Sequence, residues 1–62
     1  MNYSSREIMK MLKDDGWYLA RTKGDHFQFK HPIKTGTVTV QHPKKDLSKN
    51  NILSILTQAG LK

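Results

Sequence analysis

Histidines at positions 26, 31 and 42 are the side chains of this 62-residue chain best matched to proton transfer near neutrality. His26 is the one with suggestive surroundings. It stands in TKGDHFQF, residues 22–29, directly after a Lys-Gly-Asp turn and at the head of an alternating apolar/polar run, with Arg21, Lys23 and Lys30 close in sequence. Cleaving RNA without a metal needs a base to take the proton from a ribose 2′-hydroxyl and an acid to protonate the leaving 5′-oxygen. It also needs cations to stabilise the charge on the phosphorane. An imidazole among cations suits one of these proton transfers, and backbone amides of the Gly24 turn can point at a phosphate. One histidine cannot be base and acid in the same step, so water, a lysine, His42 or the substrate has to complete the pair. Taken alone the local spacing leaves the bland alternative open, because exposed histidines on strands usually have no chemical role.

A second cluster lies in HPKKDLSK, where Lys44, Lys45 and Lys49 gather just before and at the start of a helical pattern. A helix N-terminus favours phosphate, so this is a candidate RNA-backbone contact. The alternative is an ordinary solvated approach to a helix. A zinc site is not expected: no histidine pair has metal-helix spacing, there is no cysteine, and His31 shares the parity of Phe27 and Phe29 rather than that of His26. No Walker-type or dinucleotide-binding glycine motif is present, so no cofactor is expected. Trp17, Tyr18, Phe27 and Phe29 read as core rather than as base-stacking groups, since so short a chain needs their area.

Eleven Lys and Arg against five Asp and Glu give a net charge of +6, which favours phosphates or an acidic partner over long range. The length allows one domain, residues 1–62, without disulfide support. Charges at Arg6, Glu7, Lys10 and Lys13 interrupt every apolar run near the start, which argues against a signal peptide or membrane span and for a soluble, cytoplasmic protein.

The elements that must position these residues follow from periodicity. Ser4 and Glu7 form a capping box flanked by Tyr3 and Ile8 as a hydrophobic staple, so a first helix starts at Ser4 or Ser5 and runs to Asp14 or Asp15, with Gly16 as its stop. A strand is expected from Trp17 to Thr22, its inward face ambiguous, followed by a hairpin at Lys23-Gly24-Asp25. Phe27 and Phe29 then point to one face of a second strand and His26, Gln28 and Lys30 to the other. Thr37–Gln41 makes a third strand with Val38 and Val40 inward. A second helix starts near Ser48, with Ile52, Leu53, Ile55, Leu56 and Ala59 as its stripe and Gly60 at its exit. The fold class is α+β in the order α-β-β-β-α: a three-stranded antiparallel sheet with both helices on one face. The opposite face, carrying His26, Gln28, Lys30, Thr37, Thr39 and Gln41, is left to water.

The succession SSREIMKMLKDDGWYLARTKGDHFQFKHP, TVTVQHP and NNILSILTQAGL resembles the HicA toxin family of bacterial and archaeal toxin–antitoxin systems across nearly the whole chain. Single motifs are weak; their order and spacing carry the likeness. The resemblance implies a fold similar to double-stranded-RNA-binding domains and an mRNA interferase, a small endoribonuclease held inactive by a HicB-type antitoxin. The catalytic histidine of the family's G-S-H motif carries over onto His26, with Asp25 where serine is usual; a carboxylate there can orient the imidazole but also repels RNA phosphate. Gln41 replaces a proline common in the family. The expected RNA-binding residues are Arg21, Lys23, Gly24, Gln28, Lys30, Lys44, Lys45 and Lys49, and the antitoxin is expected to cover the His26 face. The competing reading from the element order is a non-catalytic double-stranded-RNA-binding module.

Overall fold

The computed structural model describes residues 3–62. Helix α1, Ser5–Asp14, begins where the sequence offers a cap. Ser4 Oγ accepts from the Glu7 amide at 3.2 Å, and Glu7 Oε1 accepts from the Ser4 amide at 3.0 Å, so two otherwise orphaned N–H groups are satisfied reciprocally. Ile8, Met9 and Leu12 form its buried stripe. The exit uses Gly16 at φ +102°: its amide donates to Lys13 O at 3.0 Å and the Trp17 amide to Leu12 O at 2.9 Å, the pair of bonds that closes a Schellman motif. Trp17, expected to open the first strand, is instead the buried residue that seals this helix end, and the strand starts one residue later.

Strands β1 (Tyr18–Lys23), β2 (His26–Lys30) and β3 (Val38–Gln41) form an antiparallel sheet in chain order. Gly24, at φ +59°, supplies the left-handed conformation for the two-residue β1–β2 turn. β2 and β3 pair in regular register, Phe27 opposite Val40 and Phe29 opposite Val38, which puts two rings and two valines on one face.

β1 contains an irregularity between Leu19 and Arg21 that settles its ambiguous facing. Leu19 opposes Phe29 and Arg21 opposes Gln28, with Ala20 as the extra residue. A bulge of this kind changes which side the following residues face. Leu19 therefore shares the core side with Phe29, whereas Arg21 and Lys23 turn to the opposite face beside Gln28 and His26.

Helix α2, Lys49–Gln58, is capped by Ser48 Oγ, which accepts from the Asn51 amide at 3.2 Å. It closes like α1, with Leu61 N–H donating to Leu56 O at 2.8 Å and Gly60 N–H to Thr57 O at 3.1 Å. Ile52, Ile55 and Leu56 join Ile8, Leu12, Trp17, Phe29, Val38, Val40 and Leu47 in one apolar cluster. Burying each large aliphatic or aromatic side chain contributes roughly 1.5–3 kcal/mol, so this cluster dominates stabilisation.

The long β2–β3 connection is fastened by His31 and Lys34. His31 Nδ1 accepts from the amides of Ile33 and Lys34, both at 3.0 Å, which leaves the proton on Nε2 to donate to Asp15 O at 2.8 Å. Lys34 Nζ donates to the Asp15 carboxylate and, at 3.0 Å, to Ala59 O, joining the C-terminal ends of both helices. The hydrogen bond and charge of Lys34 hold the Asp15 carboxyl below the usual carboxylate range. Among the described residues, no helix is long and apolar enough to cross a membrane.

Candidate nucleic-acid interface

The sheet face opposite the core is built in cross-strand rows. Lys23, His26 and Gln41 form one, Arg21, Gln28 and Thr39 the next, and beyond them Tyr18 faces Lys30, half exposed on this side rather than in the core where it was expected. Four of the residues expected to meet RNA, Arg21, Lys23, Gln28 and Lys30, thus share a face with His26. The bulge at Ala20 is what brings the two on β1 there.

The His26 side chain is 59% exposed, directly after the turn. Asp25 Oδ1 lies 3.7 Å from His26 Nε2, beyond hydrogen-bond range, so the carboxylate does not hold the imidazole's orientation. Its other oxygen, Oδ2, accepts from Gln41 Nε2 at 2.9 Å. That hydrogen bond, chiefly, keeps the Asp25 carboxyl below its ordinary range and therefore anionic at neutral pH; the proximity of His26 acts in the same direction. The Asp25 carbonyl accepts from the His42 amide at 2.8 Å, tying the turn to the end of β3.

The side chain of His42 does not share the face of His26. Its ring packs edge-on against Phe27, centroids 4.9 Å apart, and its Nδ1 shares a 2.7 Å hydrogen bond with Ser5 Oγ. Phe27 and the buried Ser5 lie on the core side of the sheet, so the sheet separates His42 from His26. The cause is strand parity: His42 follows Gln41, which faces with His26. His31 is likewise engaged, in the network that holds the β2–β3 connection. Among the described residues, no three His, Cys, Asp or Glu side chains gather where they could hold a metal ion.

The lysines before α2 do not join the His26 face as one surface. Lys44 and Lys45 line, with Arg6, Ser5 and His42, a separate cavity of about 400 Å³ beside the start of α1. The Ser5 amide donates to Lys44 O at 2.8 Å and the Lys44 amide to Ser5 Oγ at 2.9 Å, which draws that segment to α1. Lys49 opens α2 and is exposed. The expected RNA-binding set is thus divided between two places.

Periodicity in the strands missed what stands beside His26. A groove of about 350 Å³ runs between the open face and α2, lined by His26, Thr39 and Gln41 from the sheet and Asn51, Ser54 and Gln58 from the helix, with Leu47 and Ile55 as its apolar part. The open face is therefore bounded along the β3 side by a polar flank of α2. Residues 51, 54 and 58 have the i, i+3, i+7 spacing of one helix stripe, a signal present in the sequence.

A family model described as the HicA toxin of bacterial toxin–antitoxin systems matches residues 5–61. Among solved structures, the chain is similar to one in a toxin–antitoxin complex from Streptococcus pneumoniae, with 30% identity, TM-score 0.79 and coverage of 94% of this chain and 97% of that one. It is similar also to a chain in a complex described as the HicA3 and HicB3 toxin–antitoxin complex, with 30% identity, TM-score 0.76 and coverage of 100% and 97%. No sequence among the curated proteins matches. The helix and strand order, the double-stranded-RNA-binding-domain-like fold and the family match over almost the full length agree: this chain belongs to the HicA toxin family.

Proposed function

We propose that this protein is a metal-independent endoribonuclease acting on mRNA in the cytoplasm, with His26 in proton transfer, and that a HicB-type antitoxin neutralises it by covering the His26 face. The observation that carries the reading is the exposed His26 imidazole in a cross-strand row with Lys23, next to a row holding Arg21, and beside a groove open to a ligand. An imidazole there can exchange a proton with a ribose hydroxyl or leaving oxygen, while Lys23, Arg21 and Lys30 attract phosphate and stabilise charge developing on it. Water, a lysine or the substrate completes the pair of proton transfers, since His42 is on the other side of the sheet. The similarity to chains solved in toxin–antitoxin complexes supports the partner. An acidic partner suits a chain of net charge +6.

The purified chain should cut single-stranded RNA in the presence of EDTA and leave a DNA strand of the same sequence intact, because the 2′-hydroxyl is the nucleophile. RNA left whole, or DNA cut equally, would overturn the mechanism. A complex with the antitoxin that still cut at full rate would contradict occlusion. The Lys44–Lys45 cluster, apart from His26, favours a second reading as a duplex-RNA-binding module. That reading predicts salt-sensitive duplex binding weakened by replacing both lysines and indifferent to His26→Ala.

A further inference from the structure

The stretch KNNILSILTQ that forms α2 carries its only charge at its first residue. The exposed positions beyond Lys49 are Asn50, Asn51, Ser54, Thr57 and Gln58, all uncharged hydrogen-bonding groups. The exposed side of α1 is built from Arg6, Glu7, Lys10, Lys13 and Asp14, the charged mixture that solubility alone favours. A charge-poor, amide-rich flank is thus specific to the helix that borders the groove. Three of its members, Asn51, Ser54 and Gln58, line that groove opposite His26, Thr39 and Gln41.

Some of these groups are committed within the chain: Gln41 Nε2 donates to Asp25, and Gln58 Nε2 donates to Ser54 Oγ at 3.1 Å. The Asn51 backbone amide is used by the Ser48 cap, but among the described residues its side-chain carboxamide has no partner in the chain. A carboxamide offers a donor and an acceptor side by side, the pattern that matches the edge of a nucleobase. The groove has the volume of a small ligand site, with the buried side chains of Ile55 and Leu47 at its floor.

We propose that this groove takes a single unpaired nucleobase of the RNA next to the scissile phosphate, and that Asn51, supported by Gln58 and Ser54, reads its edge and so sets the cleavage preference. The inference rests on the nuclease reading of the same site. Single-stranded RNA presents such bases splayed from the stack, with their hydrogen-bonding edges free. A phosphate would call for cations in the groove, and α2 supplies none beyond its first residue.

The test is to let the wild-type chain, Asn51→Ala, Gln58→Ala and His26→Ala act on a pool of random-sequence RNA and to sequence the product ends. Alanine at the two exposed helix positions favours the helix, and circular dichroism verifies folding. The wild type should enrich one base at one position beside the cut by about tenfold, the discrimination expected of one good base-edge contact. In Asn51→Ala the enrichment should fall to within about twofold of the pool, with Gln58→Ala intermediate, and loss of the base contact should slow total cutting without abolishing it. Unchanged enrichment in both variants, or a wild type without preference, would overturn base reading and leave the nuclease intact. Unchanged enrichment together with weaker antitoxin binding would make the groove a protein contact instead, which also overturns it. Absence of any His26-dependent cutting overturns the nuclease reading, and this inference with it.

Discussion

At the residue scale, the proposed nuclease chemistry depends on the balance between Asp25 and His26. Asp25 is fixed by Gln41 and stays ionised, yet its nearer oxygen is 3.7 Å from the imidazole, too far to hold the ring by a hydrogen bond. Its dominant effect on RNA is then repulsion of phosphate. A charge exposed to water acts on its neighbours weakly and through a screening medium, so Asp25→Ser should raise kcat/KM by only roughly twofold to threefold, with the gain shrinking as salt rises. Steady-state cleavage at two ionic strengths checks this; a slower variant would mean that the carboxylate assists the histidine. The outward placement of His26 was legible from the alternation in HFQFK. The Asp25–Gln41 contact was not, because it joins residues that only the β2–β3 register brings together.

At the element scale, the helix ends and the bulge position the site. Gly16 lies at φ +102°, and a Cβ there would come 2.8 Å from His31 Nε2, the atom that bonds Asp15 O. Gly16→Ala therefore combines backbone strain with displacement of a side chain that holds the β2–β3 connection, and should cost about 1–3 kcal/mol. Urea unfolding measures it, and a shift below about 0.5 kcal/mol would contradict the role given to this joint. Both helix caps were readable from Ser4, Glu7, Ser48, Gly16 and Gly60, since capping is local chemistry. The bulge at Ala20 was not, because nothing in YLARTK states which residue the neighbouring strand will skip. That hid why Arg21 and Lys23 share a face with His26. Similarly, the stripe of Asn51, Ser54 and Gln58 is visible as spacing, but which side of the sheet it borders depends on how α2 packs.

At the scale of the whole molecule, Lys34 ties the ends of both helices through Asp15 and Ala59. Asp15 has its folded-state pKa lowered from 3.8, first by the Lys34 hydrogen bond. Its contribution to stability is thus fully present above the unfolded value and is lost as pH falls through the folded one. Asp15→Asn should melt at a lower temperature than wild type near neutral pH, and the gap should close on acidification below about pH 4. A gap constant through that range would place the stabilisation elsewhere. The α-β-β-β-α order was legible throughout, from the stripes and caps of both helices, the alternation in β2 and β3, and the turn residues on either side of β1. The division of the basic residues was not, since the pairing of Ser5 with the Lys44 segment is a contact between distant parts of the chain. The proposed chemistry rests on one side chain, His26, on the face where that packing leaves it exposed. Its most direct test is the single-turnover cleavage rate of His26→Ala against wild type on the same RNA in EDTA, with both proteins verified as folded. Proton transfer by His26 predicts a loss of at least about 100-fold. Equal rates would contradict it.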